Sequence, residues 1–347
     1  MRKRLGVGFI GAGAAGIGHI RTFAGCPDAR LVCVADPDAA GCERAAGAAD
    51  GLECVDDHAK MLRRDDVDLV VVSTPHNLHR SMVVETLRAG KHVFCEKPLA
   101  MNAAECDEMI AAANETGRRL LVFQTQRFGA AFHRLKRIVD ENDMGRLLFG
   151  VVVYLGNELE RMHDPVSWKG TYERAGGGVL LDGGCHVVDL CNWYFGRPVS
   201  VMAQTSAPAD WPEHKGELTG ELLIAYEDGT IAQVLASFEA RLKNQGGLKI
   251  TAELFYENGS AYGEYAHLGG QRCQRLARYV DGNGKEHAFE LSDKDGVNYA
   301  QHVLDCLLNN TSPIVTAEEA RMAVAVVEAA YESARTGQRV AVPPLPG

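Results

Sequence analysis

The sequence of 347 residues has no basic excess, no closely spaced cysteine pair and no long apolar run. Its net charge is −10, from 36 Lys and Arg against 46 Asp and Glu, whereas nucleic-acid binding needs a basic face. Ten cysteines occur without a Cys-x-x-Cys, which argues against a zinc knuckle or a redox pair. No apolar stretch reaches membrane-spanning length. These absences predict a soluble chain with no nucleic-acid or membrane partner and with free thiols in a reducing cytoplasm.

The length exceeds what one ordinary core accommodates and predicts about two domains. The first twenty residues imitate an export signal, because a basic start precedes an apolar, small-residue middle. That middle contains six glycines, which is a poor composition for the helix that an export signal forms. A cytoplasmic protein is therefore expected.

A glycine-rich turn follows the first predicted strand, residues 5–10, and precedes an apolar helix that ends near Ala24. The turn reads Gly11-Ala12-Gly13-Ala14-Ala15-Gly16, which is a Gly-x-Gly-x-x-Gly motif. Gly11 allows a tight turn, Gly13 lets backbone N–H groups approach a pyrophosphate, and Gly16 lets the helix pack close to the strand. The helix N-terminus would face the anion. The motif predicts dinucleotide binding, although glycine-rich turns alone are common.

Asp36 follows a second buried strand, residues 31–35. A carboxylate there can accept hydrogen bonds from both ribose hydroxyls of the adenosine half and would repel a 2′-phosphate, so NAD is favoured over NADP. The alternative is that Asp36 only N-caps the helix that begins at Pro37.

Lys97 ends the fourth strand of an alternating strand and helix series, because Pro98 bars it from helical geometry. The third strand, residues 69–72, runs into Thr74-Pro75-His76-Asn77-Leu78-His79, and a further strand closes the series at Phe123. Alternation of this kind predicts a doubly wound parallel sheet. The glycine-rich turn, Asp36, Thr74 and Lys97 would then share one rim, where ligands bind in such sheets. A surface lysine at a loop mouth is the alternative for Lys97.

The second part of the chain has a different pattern. Three hairpin turns, at residues 227–230, 257–260 and 281–284, are flanked by β-rich runs and predict an antiparallel sheet. Closing helices are expected near residues 299–308 and from Thr316 to Gly337. We expect two domains, residues 1–125 for the dinucleotide and 126–347 for substrate and oligomerisation.

Asp182 and His186 lie in the run Gly176-Gly177-Gly178-Val179-Leu180-Leu181-Asp182-Gly183-Gly184-Cys185-His186. If the run is α-helical from Val179, the two side chains share one face, with Asp189 three residues further on. A carboxylate one turn from an imidazole can hold its tautomer and raise its basicity, which suits acid–base work. The alternative is a capping Asp and a satisfied core His. No third ligand is evident, so no metal site is predicted.

Together these motifs resemble the Gfo/Idh/MocA oxidoreductases, which include glucose–fructose oxidoreductase and inositol dehydrogenases. The resemblance rests on the glycine-rich turn, Thr74-Pro75-x-x-x-His79, Glu96-Lys97-Pro98, and Gly176-Gly177-Gly178 with Asp182-x-x-x-His186-x-x-Asp189. It covers nearly the whole chain, although His76 stands where many members carry Asn. It implies a Rossmann domain and an α+β domain with a large open antiparallel sheet, often a face for homodimers or homotetramers.

The resemblance also implies roles. Lys97 matches the catalytic lysine, and Asp182 and His186 match the acid–base pair; all three would also contact substrate. Arg127 and Trp168 fall near stretches that often line the substrate site. The cofactor site would comprise Gly11, Gly13, Ala14, Ala15, Gly16, Asp36, Thr74, Pro75, His76, His79, Glu96 and Lys97.

Three functions compete at this point. The leading hypothesis is reversible oxidation of a secondary hydroxyl of a sugar, inositol or related polyol by NAD. A second is an enzyme that retains NAD and uses transient oxidation, either to cleave glycosides or to exchange oxidation states between sugars. A third is a non-catalytic sensor of dinucleotide or sugar, which is disfavoured because Glu96-Lys97-Pro98 and the Asp182/His186 pair are both present.

Overall fold

The structure is a computed structural model and describes residues 4–141, 144–164, 166–212, 215–242, 247–267 and 274–346. The chain forms two compact units. Unit 1 comprises Met1–Ala100, Ala104–Phe123 and Asn298–Ala320, and unit 2 comprises Met101–Ala103, Gln124–Val297 and Arg321–Gly347.

Unit 1 contains, within its described residues, a six-stranded parallel sheet of order β3-β2-β1-β4-β5-β6. This is the strand order of a Rossmann fold, so the predicted doubly wound sheet is confirmed. The central strands are buried on both faces, which explains their continuous apolar runs. The strands are β1 Leu5–Ile10, β2 Ala29–Ala35, β3 Glu53–Val55, β4 Leu69–Val72, β5 His92–Glu96 and β6 Leu120–Phe123.

Helices connect these strands and cover the sheet. They are α1 Ala14–Ala24, α2 Ala39–Ala46, α3 His58–Leu62, α4 His76–Arg88, α5 Ala103–Thr116 and, from the returning segment, α11 Tyr299–Asn309. The short elements β3 and α3 have no periodic signal in the sequence and were not predicted.

The returning segment is packed into unit 1 through Tyr299. Its ring lies 4.3 Å from that of Phe123 and 5.9 Å from that of Phe94, and its hydroxyl is 2.9 Å from Nδ1 of His19. The predicted single cut after residue 125 falls two residues beyond the Phe123 boundary. It assigns residues 298–320 to the second domain, whereas their contacts place them in unit 1.

Unit 2 contains, in the part that the structure describes, a nine-stranded sheet of order β14-β13-β12-β11-β7-β10-β9-β8-β15. Every neighbouring pair is antiparallel except β7 and β10, which run parallel. The three predicted hairpins join β9 to β10, β11 to β12, and β13 to β14. The strands are β7 Leu147–Gly156, β8 Pro198–Ser206, β9 Thr219–Tyr226, β10 Ile231–Ser237, β11 Leu248–Tyr256, β12 Gly259–His267, β13 Gln274–Val280, β14 Glu286–Glu290 and β15 Val340–Ala341.

Several helices of unit 2 share a core with the sheet residues Val152, Leu222, Val234 and Ile250, which are fully buried. The helices of this unit are α6 Thr125–Phe128, α7 Ala130–Glu141, α8 Leu159–His163, α9 Tyr172–Ala175, α10 Cys185–Phe195 and most of α12 Ala317–Thr336, with 3₁₀ turns at Trp168–Gly170 and Asp293–Asp295 and a π turn at Leu180–Gly184. The predicted capping box of α12 is confirmed, because Thr316 N donates to Glu319 and Glu319 N donates to the Thr316 hydroxyl. No helix among the described residues is long and apolar enough to cross a membrane.

Two cysteines correct the expectation of free thiols throughout. Cys42 on α2 and Cys54 on β3 form a disulfide, with their Cα atoms 5.7 Å apart. Neither the separation of twelve residues nor the charge pattern marks this pair in the sequence, because the pairing depends on how α2 lies beside β3. The other cysteines that the structure describes are buried free thiols.

Candidate active site

The glycine-rich turn has the conformation that dinucleotide binding needs. Gly11 has a φ of 97°, and a Cβ there would lie 2.5 Å from the Ser73 carbonyl oxygen. A Cβ at Gly16 would clash with the Gly11 carbonyl, so both positions exclude side chains. A Cβ at Gly13 would meet no described atom within 4 Å.

The N-terminus of α1 is open above that turn. Gly13, Ala14 and Ala15 are exposed, and α1 begins at Ala14. The first backbone N–H groups of a helix have no partner within the helix, and the helix dipole favours an anion at this end. The open space over Gly13 and these donors fit a pyrophosphate.

Asp36 is held by backbone donors at the carboxyl end of β2. Its Oδ2 accepts from Ala12 N at 2.6 Å and its Oδ1 from Asp38 N at 2.8 Å. The helix cap is Asp38, which accepts from Ala40 N, and α2 begins at Ala39, so the alternative that Asp36 is the cap is wrong. A carboxylate can accept about four hydrogen bonds, so this fixed, half-buried group keeps capacity for ribose hydroxyls.

His79 connects two loops of the same rim. It is fully buried, with Nδ1 2.9 Å from the Pro98 carbonyl oxygen and Nε2 3.0 Å from the Thr74 carbonyl oxygen. Burial lowers the pKa of His79, which favours the neutral ring. His76, also buried, packs edge-on against it at 5.7 Å between ring centroids. The predicted cofactor residue His79 thus lies between the Thr74 and Pro98 carbonyls, and its neutral ring can donate a hydrogen bond to one of them.

Glu96 holds the backbone at Lys97 in place. Its Oε1 is 2.9 Å from Nε2 of His19 and its Oε2 accepts from Lys97 N at 3.1 Å. Burial raises the pKa of Glu96, but the hydrogen bond and charge of His19, with the charge of Lys97, outweigh it and lower the pKa below its ordinary value. Lys97 follows β5 at the edge where Gly11 follows β1 and Asp36 follows β2, because these strands are parallel.

The acid–base candidates of unit 2 lie on a π turn followed by α10. Asp182 belongs to the π turn Leu180–Gly184, and His186 lies in the first turn of α10, each about 8% exposed. The predicted continuous α-helix from Val179 is therefore wrong for its first turn, which widens to i→i+5 hydrogen bonding. Single π turns inside helices are rare overall, and those that occur often lie at functional sites.

Glu217 holds the start of that turn. Its carboxylate accepts from Gly178 N at 3.0 Å, from Leu180 N at 2.7 Å and from the Tyr331 hydroxyl at 3.1 Å. Burial raises the pKa of Glu217 although these donors act against it. A Cβ on Gly178 would clash with the Glu217 backbone, which explains why glycine precedes the turn.

Tyr154, near the end of β7, packs against His186. Its ring is nearly parallel to that of His186, at 16° and 6.2 Å between centroids. A Cβ on Gly183 would come within 2.5 Å of the Tyr154 ring, so this glycine admits the ring. Burial and then the charge of Asp182 raise the pKa of Tyr154, which keeps the hydroxyl protonated.

Lys169 forms an ion pair with Asp182. Its Nζ is 2.5 Å from Asp182 Oδ2 and 3.6 Å from Glu158 Oε2. Glu158 follows β7, and Phe238, whose ring centroid is 5.9 Å from the same Nζ, follows β10. This cluster therefore lies at the carboxyl ends of the parallel strands β7 and β10. Trp168, predicted near the substrate, is half-buried with its ring 5.7 Å from Nζ of Lys169.

Arg127 lies in a different environment from the one expected of a substrate ligand. Its Nε and Nη2 each donate to Asp189 at 2.8 Å, and both side chains are 1% exposed. The guanidinium also stacks 5.1 Å from the Trp193 ring centroid. The structure brings Arg127 together with Asp189, and Asp182 together with Lys169. In the described chain no group of three His, Cys, Asp or Glu side chains converges as metal ligands.

Comparison with known families places both units in one family. The Oxidoreductase family, NAD-binding Rossmann fold model matches residues 5–124. The GFO/IDH/MocA C-terminal domain model matches residues 132–262, and the Oxidoreductase family, C-terminal alpha/beta domain model matches residues 285–342. The chain belongs to the Gfo/Idh/MocA oxidoreductase family.

Two dehydrogenases and one oxidoreductase of solved structure are similar to this chain over most of its length. The D-apiose dehydrogenase of Paraburkholderia graminis is 27% identical over 97% of this chain and 90% of its own length. The scyllo-inositol 2-dehydrogenase (NAD(+)) of Bacillus subtilis is 25% identical over 98% of this chain and 97% of its own. The aldose-aldose oxidoreductase of Caulobacter crescentus, solved with glycerol, is 25% identical with a TM-score of 0.83, covering 98% and 100% of the two chains.

Sequence reasoning missed three side chains that this Gfo/Idh/MocA member places around Asp182 and the start of its π turn. Lys169, Glu158 and Glu217 occur in segments without periodicity, and their contacts depend on the path of the loops between residues 157 and 217. His19 carries a weak signal, because it is a polar residue on the buried face of an otherwise apolar helix.

Proposed function

We propose that this protein is an NAD-dependent dehydrogenase that reversibly oxidises a secondary hydroxyl of a sugar, inositol or related polyol. The observation that supports this proposal most directly is that one chain contains three features. These are the Gly-x-Gly-x-x-Gly turn, the Asp36 carboxylate held by backbone donors, and the buried side chains of Asp182 and His186. The names of the D-apiose and scyllo-inositol relatives support this substrate class.

The glycine-rich turn and the N-terminus of α1 would bind the pyrophosphate, and Asp36 would accept from the ribose hydroxyls. Thr74, Pro75, His76 and Glu96 would shape the same rim. NAD, when bound, supplies the hydride acceptor. The Asp36 carboxylate would itself disfavour a 2′-phosphate, which supports NAD over NADP.

His186 would take the proton of the reacting hydroxyl and return it in the reverse direction, while Asp182 orients the imidazole. Lys97 is proposed to donate a hydrogen bond to the reacting oxygen and to stabilise its developing negative charge. Trp168 and Arg127 stay proposals for substrate contacts. For Arg127 the ion pair with Asp189 favours an indirect contribution.

The test is a panel of scyllo-inositol, myo-inositol, D-apiose and levoglucosan with NAD or NADP, followed by the absorbance of the reduced nucleotide. We expect at least one polyol to yield NADH. In Lys97→Ala and His186→Ala, turnover should fall by about 10²–10⁴-fold with NAD binding retained. Near-normal turnover in both variants would overturn the assignment of these residues.

A closed redox cycle is the second candidate, because the aldose-aldose oxidoreductase relative is similar over the full chain. In that case one sugar is oxidised and another reduced on the same bound cofactor. Sugar products would then form without net NADH, and added NAD would not increase the rate.

We also propose that the protein forms a homodimer or homotetramer through the open face of the nine-stranded sheet. Phe149, Met202, Leu223 and Ile231 are 42–48% exposed on that face. Phe149 pairs in register with Ile231, and Leu223 with Met202, so the exposed apolar side chains form two cross-strand pairs on that face. Exposed apolar surfaces of this kind mark interaction sites.

A further inference from the structure

Lys169 lies between two carboxylates, and one of them belongs to the acid–base candidate Asp182. Its Nζ is 2.5 Å from Asp182 Oδ2 and 3.6 Å from Glu158 Oε2. The three side chains are 20%, 11% and 18% exposed, respectively, so water screens the contacts only in part.

Aromatic rings form much of the remaining environment of the ammonium. Its Nζ is 5.7 Å from the Trp168 ring centroid and 5.9 Å from that of Phe238. Such rings attract a cation while excluding water, which strengthens its interaction with nearby carboxylates. Arg161 donates to Glu158 at 3.1 Å and is 64% exposed, so its charge is more strongly screened.

We propose that Lys169 is a positioning residue for the acid–base pair, and that Glu158 is the counter-charge that holds Lys169 in place. This inference rests on the proposed function. The contact uses one oxygen of Asp182, so it restrains that oxygen and limits the orientations of the carboxylate on the π turn. It also neutralises part of the Asp182 charge, which limits how strongly His186 retains a proton.

The second consequence is chemically useful for a reversible reaction. An Asp182 carboxylate without a neighbouring cation, one helical turn before His186, would favour the imidazolium form of His186 and slow its return of the proton. With an ammonium on Asp182, the imidazole can accept a proton and release it at similar pH, which is the condition for efficient acid–base work in both directions.

A buried ion pair is by itself weak evidence for any role, because it can serve the fold alone. The two explanations differ in the charge of His186. A pair that serves the fold alone and does not act on His186 leaves the titration of His186 unchanged when it is replaced without unfolding. A positioning pair shifts the titration, in opposite directions for the loss of the cation and the loss of its counter-charge.

The experiment is a histidine ring NMR titration of the full-length protein, with His186 assigned by its loss in His186→Asn. The groups that face the pair are Lys169 and Glu158, Arg161 behind Glu158, and the Tyr154 hydroxyl. We expect Lys169→Met to raise the titration midpoint of His186 by roughly 0.5–1 pH unit. Glu158→Gln should lower it, and Lys169→Arg should leave it close to that of the wild type.

Lys136→Met is the matched control, since Lys136 forms a similar pair with Asp140, at 2.6 Å, on α7. It should leave the His186 titration unchanged. A His186 midpoint that is the same in Lys169→Met, Glu158→Gln and wild-type protein would overturn the inference. Thermal unfolding of each variant establishes that the titrated protein is folded.

Turnover of a substrate found in the panel gives the second readout. Lys169→Met should lower kcat about 10–100-fold with an unchanged KM for NAD, and Lys169→Arg should restore most of it. In an Asp182→Asn background, Lys169→Met should cause no further loss, because Lys169 acts through Asp182. Failure of every polyol in the panel to yield NADH or another sugar product would refute the proposed function, whereas the His186 titration would still decide the role of Lys169.

Discussion

At the scale of single residues, Asp36 combines a structural and a recognition task. Its two oxygens accept from Ala12 N and Asp38 N, so the carboxylate is already oriented by the backbone before any ligand arrives. A preoriented acceptor loses little conformational entropy on binding, which favours ribose hydroxyls over water.

We expect Asp36→Asn to weaken NAD binding by about tenfold or more and to shift preference toward NADP, because the repulsion of a 2′-phosphate is removed. Dissociation constants from fluorescence titration with both nucleotides measure this. Asp38→Asn removes the same charge two residues away and retains the cap of α2, so it should leave the NAD-to-NADP ratio unchanged. An equal change in both variants would contradict the role of Asp36.

His79 should contribute to the pH dependence of stability. Burial lowers its pKa in the folded state, so the unfolded chain takes up a proton first as the pH falls below about 6.5. The contribution of the neutral ring is present above that pH and is lost as the pH falls toward the lowered folded pKa. The loss is at most about 1.4 kcal/mol per pH unit.

Urea unfolding of the wild type and of His79→Phe from about pH 8 to about pH 5 measures this contribution. The range extends about three pH units around the ordinary histidine pKa. The variant should be less stable at pH 8, because it loses the hydrogen bond that the neutral ring donates to the Thr74 or the Pro98 carbonyl. Its stability should also decrease less steeply as the pH falls. Parallel curves would show that His79 does not titrate between the two states. His133, whose pKa burial also lowers, is common to both proteins and cancels.

At the scale of elements, the π turn Leu180–Gly184 is held open by packing on two sides. Glu217 binds the backbone before it, and the Tyr154 ring fills the space beside Gly183. A helix with a widened turn is less stable than a regular one, so these contacts must offset its cost.

Glycine-to-alanine replacement separates helix propensity from this packing. Gly183→Ala should destabilise the protein by about 1–3 kcal/mol and lower turnover, because the new Cβ would press on the Tyr154 ring that stacks on His186. Gly18→Ala on α1 has open space at its Cβ and should stabilise by up to about 1 kcal/mol. Chemical denaturation gives both values, and a stabilised Gly183→Ala would contradict the packing argument.

Five of the six described parallel strands of unit 1 were predictable, because each of the five is a short apolar run followed by a turn or a polar residue, as at Gly11, Asp36 and Lys97. The exception is β3, which is too short to carry a pattern. The π turn was not, since Asp182-x-x-x-His186 has the same spacing in an α-helix. The partners of Asp182 were not predictable either. Lys169 reaches it through a loop of irregular structure, and no local pattern encodes the path of such a loop.

At the scale of the whole molecule, the open face of the nine-stranded sheet carries the strongest sign of self-association. We expect Phe149→Glu to reduce the molar mass measured by light scattering after gel filtration, because it places a charge in the apolar surface beside Ile231. Leu345→Glu, at a side chain of similar exposure (40%, against 42% for Phe149), should not change the mass. A wild-type monomer would refute the proposed oligomer.

The return of residues 298–320 to unit 1 bears on how the protein is made. A ribosome completes β6 at Phe123 well before it synthesises Tyr299, and about 5–20 residues are added each second. For on the order of ten to thirty seconds the nascent Rossmann sheet would therefore expose the faces of Phe94 and Phe123 that Tyr299 later covers. Unit 1, although most of it is synthesised first, completes its packing only after the nine-stranded sheet of unit 2 has been synthesised except for β15.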